Sequence, residues 1–488
     1  MLSFFKHLYT SLPPEVKGLS NGIAWTTIGS ILSRIIPFVA WIAVAQILGK
    51  DAFGEYGIIR NTVMMFASFA GFGLGLTGTK FVAEYASSDN ERASSIASLT
   101  LCFGAITGLL TCVSVVLSAQ FLTHTTLQAP WLKNDMQVAA IILLFSAYNG
   151  AQTGVLNGLK KFKQLAIVTI VNSIVSFPIY IAAAYGGVFM CICAYAFCNL
   201  CMCLHSAYYL RQAENNGEIT IKYMNGWKEW RLLFSYSLPS ALAGICVMPV
   251  KWGVEVILVR NCSFSAMGVF AAAFTIHTII LTFAATLSNP FITYMASSKS
   301  NSDMINRLNL IIPWFLGLVT CLPFLWFPEI GEMMFGTEFA GGDFKLTFAI
   351  VVFFTLVLMY KQGLARIFIV RNMQWIGFSS NIVWSLILLI LFTLFFDKNS
   401  VGLAFSYLGA YILVTLVFYP IYLVNKWIPR SFVFSWEAFS IWLISIIPMF
   451  FVTSILDYTT KFVCCSVSLI ISLGLLKFLL KKKDITHD

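Results

Sequence analysis

Residues 20–48 read SNGIAWTTIGSILSRIIPFVAWIAVAQIL, a run of 29 residues with a single charge, Arg34. About 20 apolar helical residues cross the hydrocarbon core of a bilayer, so the run is long enough to span. It is too long for the core of a cleaved signal peptide. It is preceded by Lys6, His7, Pro13, Pro14 and Lys17 and is expected to act as its own uncleaved insertion signal. Outward from it the pattern recurs. Apolar runs between polar breaks lie near 56–83, 94–122, 136–157, 164–185, 187–210, 231–260, 266–297, 307–327, 344–365, 376–396, 401–424, 437–456 and 461–479, which makes about 14 transmembrane helices. The fifth and sixth are parted only by Tyr185-Gly186-Gly187. Across 488 residues, 59% are hydrophobic and 11% charged, against about 25% charged in soluble domains. That composition excludes a water-solvated globule, a disordered chain, a collagen and a disulfide-stapled module. The fold class is an all-α polytopic membrane protein.

The net charge of +10 could suggest a nucleic-acid binder, but the 31 basic residues are sorted by position. Twenty-two lie at the termini and in the even-numbered connections, seven on the other side, and two, Arg34 and Lys251, inside spans. A bias that alternates along the whole chain follows the positive-inside rule and places both termini in the cytoplasm. No nucleic-acid partner is expected. Of the 12 cysteines, five fall within VFMCICAYAFCNLCMCL (188–204), which holds no charged residue. Zinc thiolates need polar support, so these are read as packing residues, and no metal site is expected.

The longest internal connection, RQAENNGEITIKYMNGWKEW (211–230), divides a first block of six spans (1–210) from a second (231–430), with 431–488 holding two further helices and a basic tail. Comparing each residue with the one 214 further on pairs Ala52 with Ala266, Gly54 with Gly268, Phe69 with Phe283, Ala70 with Ala284, Thr79 with Thr293, Ser88 with Ser302 and Asp89 with Asp303. Both blocks have an even number of spans, so the copies insert in the same orientation. Such parallel repeats imply a pseudo-two-fold axis along the membrane normal and a binding cavity between the halves.

A charge at mid-membrane costs about 2.5–3.5 kcal/mol on insertion scales, and such residues mark substrate or ion pathways. Three strong ionisable residues sit deep in spans: Arg34, Lys251 and Glu255. The repeat offset sets Lys251 against Pro37, one helical turn from Arg34 on the same face. The two cations therefore occupy comparable faces of related helices, which suits an anionic ligand, Arg in particular matching phosphate oxygens. The alternative is structural: Glu255 is four residues from Lys251 and can neutralise it on the helix face, and Arg34 can bond backbone carbonyls. Glu255 and His277 are the candidate ion-coupling residues, His277 reading equally as an interior hydrogen-bonded side chain. Pro37, Pro239 and Pro249 are candidate hinges or simple bends. Gly71, Gly73, Gly75 and Gly78 permit close helix approach. Glu329, Glu332, Glu338 and Asp343 form an acidic loop, and Lys481–Lys483 a tail suited to anionic lipid.

Leu48-Gly49-Lys50-Asp51-Ala52-Phe53-Gly54-Glu55-Tyr56, Gly73-Leu74-Gly75, Lys80-Phe81-Val82-Ala83-Glu84-Tyr85 and Asn157-Gly158-Leu159-Lys160-Lys161-Phe162 together resemble Wzx-type polysaccharide (O-antigen) flippases of the multidrug/oligosaccharidyl-lipid/polysaccharide exporter (MOP) superfamily. The motifs cover about residues 20–90 and 150–165. The resemblance implies two six-helix lobes around a V-shaped central cavity. It implies movement of an undecaprenyl-pyrophosphate-linked oligosaccharide, such as an O-antigen or related lipopolysaccharide repeat unit, from the cytoplasmic to the periplasmic leaflet of the bacterial inner membrane by alternating access. Arg34 and Lys251 match the family's pyrophosphate-binding cations, with Arg366 a weaker addition. Its partners would be the lipid-linked substrate, membrane lipid, and a glycan polymerase and chain-length regulator of the same pathway, the flippase itself being a monomer. The two extra C-terminal helices depart from the usual twelve and are similar to those of fourteen-helix lipid II flippases.

No GxxxxGK[ST] sequence occurs, so neither nucleotide nor another cofactor is expected, and energy would come from an H+ or Na+ gradient or from consumption of product. No catalytic residue is assigned and no enzyme activity is expected. A cation-coupled multidrug antiporter of the same superfamily is the alternative, though it would call for acidic residues where this chain offers two cations and Glu255. A membrane glycan polymerase or ligase is a third reading, disfavoured because the exterior loop at about 328–343 holds no His or Arg.

Overall fold

The computed structural model describes residues 14–71, 73–86, 88–222, 226–232, 237, 247–286, 303–371, 373–395, 397–452 and 456–481, and no strand occurs among them. The principal helices are α1 (Pro14–Ala70), α2 (Asn90–Phe121), α3 (Lys133–Gly158), α4 (Phe162–Ala184), α5 (Gly187–Asn215), α6 (Val247–Asn261), α7 (Phe264–Thr286), α8 (Asp303–Trp326), α9 (Gly342–Val370), α10 (Gln374–Ile390), α11 (Ser400–Val424), α12 (Trp436–Ile446) and α13 (Tyr458–Lys481). Among the described residues, 11 helices are long and apolar enough to cross a membrane. Three features separate that figure from fourteen. Spans 1 and 2 are two arms of α1, broken at Gly49, where φ 72° and ψ 171° define a conformation open to glycine and strained for residues with a Cβ. Span 7 is described as α6 from Val247 onward. Span 13, α12 with a tighter turn to Phe451, is apolar but short. The chain is an all-α, multi-pass membrane protein.

The helices form two compact units, Met1–Trp41 with Ile59–Met248, and Ile42–Ile58 with Pro249–Asp488. In the first, the segment after Gly73 lies backbone to backbone against α3. A Cβ on Gly154 would strike the backbone of Gly75, and one on Gly158 the carbonyl of Gly78 and the side chain of Val82. Gly150, Gly154 and Gly158 recur every four residues and so form one stripe of α3, the small-residue arrangement that lets apolar helices approach closely. Thr79 bridges the contact, its hydroxyl donating to the carbonyls of Gly75 at 2.8 Å and Gly154 at 3.3 Å.

The described part of the connection 211–230 is fastened to this unit. Backbone amides of Thr220 and Lys222 donate to the hydroxyls of Ser94 and Ser98, each at 2.9 Å. Glu218 pairs with Lys161 at 2.6 Å and Glu229 with Arg92 at 3.0 Å. Ile219 is buried among Ile96, Ala97, Val155 and Leu210.

In the second unit, Ile42–Ile58 packs on the start of α7 through a reciprocal contact. A Cβ on Gly54 would collide with the carbonyl of Phe264, and one on Gly268 with the carbonyl of Lys50. Gly54 and Gly268, and likewise Lys50 and Phe264, are 214 residues apart, so positions matched by the repeat offset meet one another. The amide of Gln46 donates to the carbonyl of Met334 at 2.5 Å, and Phe53 meets Phe339 edge-on.

The acidic loop is tied down by cations: Glu329 accepts from Lys461 at 2.7 Å, and Glu332 lies 3.4 Å from Lys345. No metal-holding group of three His, Cys, Asp or Glu side chains occurs among the described residues. The two C-terminal helices are integral to this unit. α13 packs along α8, and the buried Trp314 of α8 stacks on Trp442 of α12 at 5.7 Å.

Candidate functional site

Lys251 stands one turn into the described part of α6. Its ammonium lies over two aromatic faces, 5.6 Å from the ring centre of Phe274 on α7 and 5.7 Å from that of Trp384 on α10. Glu255 follows one turn later, buried, close enough to act electrostatically on both Lys251 and Tyr407. The aromatic wall extends through further helices. Phe274 approaches Tyr407 of α11 at 5.8 Å, Tyr407 stacks on Phe354 of α9 at 5.5 Å, and Trp384 meets Tyr407 and Tyr411 at 5.7 and 5.2 Å. The negative faces of these rings stabilise a cation that has left water.

His277 belongs to the same cluster. Its Nδ1 is 2.8 Å from the hydroxyl of Thr355, and its ring lies against Phe274 and Phe354. It is buried and hydrogen-bonded, as an interior histidine is, and it feels the charge of Lys251. Lys251, Glu255 and His277, separate candidates in the sequence, thus fall within one aromatic and ionisable cluster of the second unit. Its polar edge includes the hydroxyl of Tyr407 and the indole N–H of Trp384, both buried without a hydrogen-bond partner among the described residues. Buried polar groups are nearly always satisfied by protein or water, so this pair marks a place with capacity for a further polar group.

Arg366 lies elsewhere, eleven residues or about 16 Å along α9 from Thr355. It is buried, and its Nη1 donates to Oδ1 of Asn309 at 3.2 Å while the Asn309 amide donates to the carbonyl of Gly363 at 2.9 Å. The guanidinium thereby ties α9 to α8. Arg34 belongs to the first unit and is exposed on α1. Its turn is fixed to α4 by Ser173, whose hydroxyl donates to the carbonyl of Ser33 at 3.2 Å. Pro37 sits within α1, whose non-helical residue is Gly49. Pro249 lies in the first described turn of α6. Pro239 falls outside the described residues, as do Lys482 and Lys483 of the basic tail.

The aromatic partners of Lys251 do not stand out in the sequence. The signal for them is present as i,i+4 pairs, Phe270 with Phe274 and Tyr407 with Tyr411, each pair sharing one helix face.

Residues 19–296 match the family of polysaccharide biosynthesis proteins. No curated protein matches the chain by sequence. Among solved structures, an inward-facing multidrug resistance transporter of the MATE family in the MOP superfamily is 14% identical. The alignment covers 82% of this chain and 99% of that one, with a TM-score of 0.62. A MOP-superfamily transporter from Pyrococcus furiosus, whose binding pocket is described as of reversed polarity, is also 14% identical over 84% of this chain and 95% of its own, with a TM-score of 0.63. An outward-facing MATE-family transporter aligns at 13% identity over 82% and 93%, with a TM-score of 0.57. At such identities the likeness concerns the fold, which is that of MOP-superfamily transporters. With the family match over more than half its length, the chain belongs to the polysaccharide biosynthesis protein family.

Proposed function

We propose that this protein is a flippase that moves a lipid-linked oligosaccharide, joined to an undecaprenyl carrier through a pyrophosphate, from the cytoplasmic to the periplasmic leaflet of a bacterial inner membrane. The observation that carries the proposal is Lys251: a cation held inside a membrane span against the faces of Phe274 and Trp384. Keeping a charge there is costly, and the aromatic lining softens that cost. A polysaccharide-pathway transporter whose cargo carries a pyrophosphate has a use for such a cation. Arg34, the mid-span cation of the first repeat, supplies the second, its planar guanidinium suited to bidentate contact with phosphate oxygens.

In this reading the head group enters from the cytoplasm, both termini being cytoplasmic, and the lipid tail stays in the bilayer. Alternating access then exposes the head group on the other side. Glu255, adjoining the cation and Tyr407, is the residue through which an H+ or Na+ gradient acts. The test is complementation of a deletion strain. Arg34→Ala and Lys251→Ala should each abolish surface glycan at unchanged membrane levels of protein. Normal surface glycan from the double variant would refute the assignment.

A further inference from the structure

The second unit contains a cavity of about 750 Å³ that the transport reading does not use. It runs between α9, α11, α12 and the short helix Arg430–Phe434, and its walls are almost wholly apolar, including Val357, Leu416, Val424, Val433 and Ile446. Several of these side chains, Leu416, Val424 and Phe434 among them, are exposed on the flank of the unit, where a membrane protein meets acyl chains. The volume lies within the roughly 300–1,000 Å³ typical of ligand pockets, so it can hold an individual molecule.

Two features select the occupant. The first is length. Along α11 the lining runs from Ile412 to Val424, twelve residues or about 18 Å of helix, close to the roughly 15 Å of one leaflet's hydrocarbon. On the other walls it reaches no farther from Arg430 than Phe353 of α9 and Ile446 of α12. The groove therefore accepts an acyl chain of one leaflet.

The second feature is charge. Arg430 lines the groove at the end where α11 has finished and α12 has not begun. It is exposed, and it makes no ion pair among the described residues. Lys426, four residues earlier, is exposed as well. These residues lie at the end of the spans to which the sequence assigns the basic majority.

We infer that this groove is a site for an anionic phospholipid of the leaflet on the basic side, its acyl chain between α11 and α12 and its phosphate on Arg430. A basic residue near an anionic membrane surface contributes about 1 kcal/mol, or roughly fivefold in affinity. One wall is α12, the first of the two helices beyond the duplicated blocks, so that appendage acquires a role in completing a lipid seat.

Native mass spectrometry of the full chain in detergent tests the inference, with phosphatidylglycerol, phosphatidylcholine of the same acyl chains, and a polyprenyl phosphate as probes. Phosphatidylglycerol should bind about fivefold more tightly than phosphatidylcholine. Arg430→Gln should erase that preference while leaving phosphatidylcholine binding as it was. Leu416→Trp, which fills the groove from an exposed position, should weaken both phospholipids at least tenfold, and Val424→Trp serves if the first variant fails to fold. Equal binding of the two phospholipids to the unaltered protein, or a preference that survives Arg430→Gln, would overturn the site. Polyprenyl phosphate binding that Leu416→Trp and Arg430→Gln weaken more than they weaken phosphatidylglycerol binding would overturn it too, by giving the groove to the transported lipid.

Discussion

Replacing Lys251 by Met removes the charge while keeping a long, flexible, apolar side chain in the same space. An ammonium at mid-membrane costs about 2.5–3.5 kcal/mol. Against this, a desolvated cation gains about 0.5–2 kcal/mol from each aromatic face, and Lys251 has two, at 5.6 and 5.7 Å. The rings thus return about 1–4 kcal/mol, which sets the ammonium between about 1.5 kcal/mol favourable and about 2.5 kcal/mol unfavourable for folding before Glu255 is counted. Glu255, buried one turn away, also acts on Lys251, and removing one partner of a buried pair is destabilising in itself, so stability is compared in a Glu255→Gln background. There Lys251→Met should unfold within about 3 °C of its parent, while in the otherwise unaltered protein Lys251→Met should lower transport to background. Thermal unfolding in detergent and surface-glycan display, measured on these variants, separate the two quantities. A drop of more than about 10 °C, with glycan falling only in proportion to folded protein, would make Lys251 a structural residue and refute the reasoning. Glycan at the unaltered level would refute it as well.

Gly154→Leu drives a side chain into the backbone of Gly75 and should cost at least about 2 kcal/mol, seen as loss of folded protein by size-exclusion chromatography. Gly474→Ala, where a Cβ meets nothing within 4 Å, should change stability by less than about 1 kcal/mol. Lys461→Met deprives Glu329 of its 2.7 Å partner and leaves Lys345 at 3.9 Å. A buried pair broken on one side costs about 3–5 kcal/mol, reduced here to about 1–3 kcal/mol by the second cation, and an unchanged melting temperature would contradict the tether. Asp457 caps α13, accepting from the amide and hydroxyl of Thr460 at 3.1 and 2.6 Å, bonds that hold its carboxyl below the ordinary value of 3.8. Its contribution is present above that ordinary value and is lost as pH falls through the lowered one. The melting-temperature gap between the unaltered protein and Asp457→Ala should therefore be constant from pH 7 to about pH 5 and close below about pH 4.

The spans were legible because membrane insertion imposes two signals at once: apolar runs of a set length and basic residues that alternate between connections. Those constraints placed the described helices, including the Tyr185-Gly186-Gly187 break, where Gly187 takes φ +82°. Arg34, Lys251 and Glu255 stood out for the same reason, as charges in apolar surroundings. What stayed hidden depends on tertiary packing. Phe274, Phe354, Trp384 and Tyr407 are ordinary apolar residues of four different helices until the fold gathers them around the cation. Gly75 and Gly78 were visible as glycines that permit close helix approach, but the stripe of Gly150, Gly154 and Gly158 that they meet on α3 was not. The connection 211–230 was legible as the divide between two blocks, but not its fastening, in which Glu218 and Glu229 pair with Lys161 and Arg92 of the first unit. The joining of Ile42–Ile58 to the second unit has no local signature, since it arises from Gly54 and Gly268 meeting face to face.

The most direct measurement is the leaflet position of the cargo. Lipid-linked glycan can be probed with a membrane-impermeant oxidant in spheroplasts of a deletion strain, with and without the protein. Without it, the glycan should accumulate shielded, on the cytoplasmic side. The unaltered protein should restore exposure and Lys251→Met should not. An exposed fraction that is the same with and without the protein would contradict its role as the flippase.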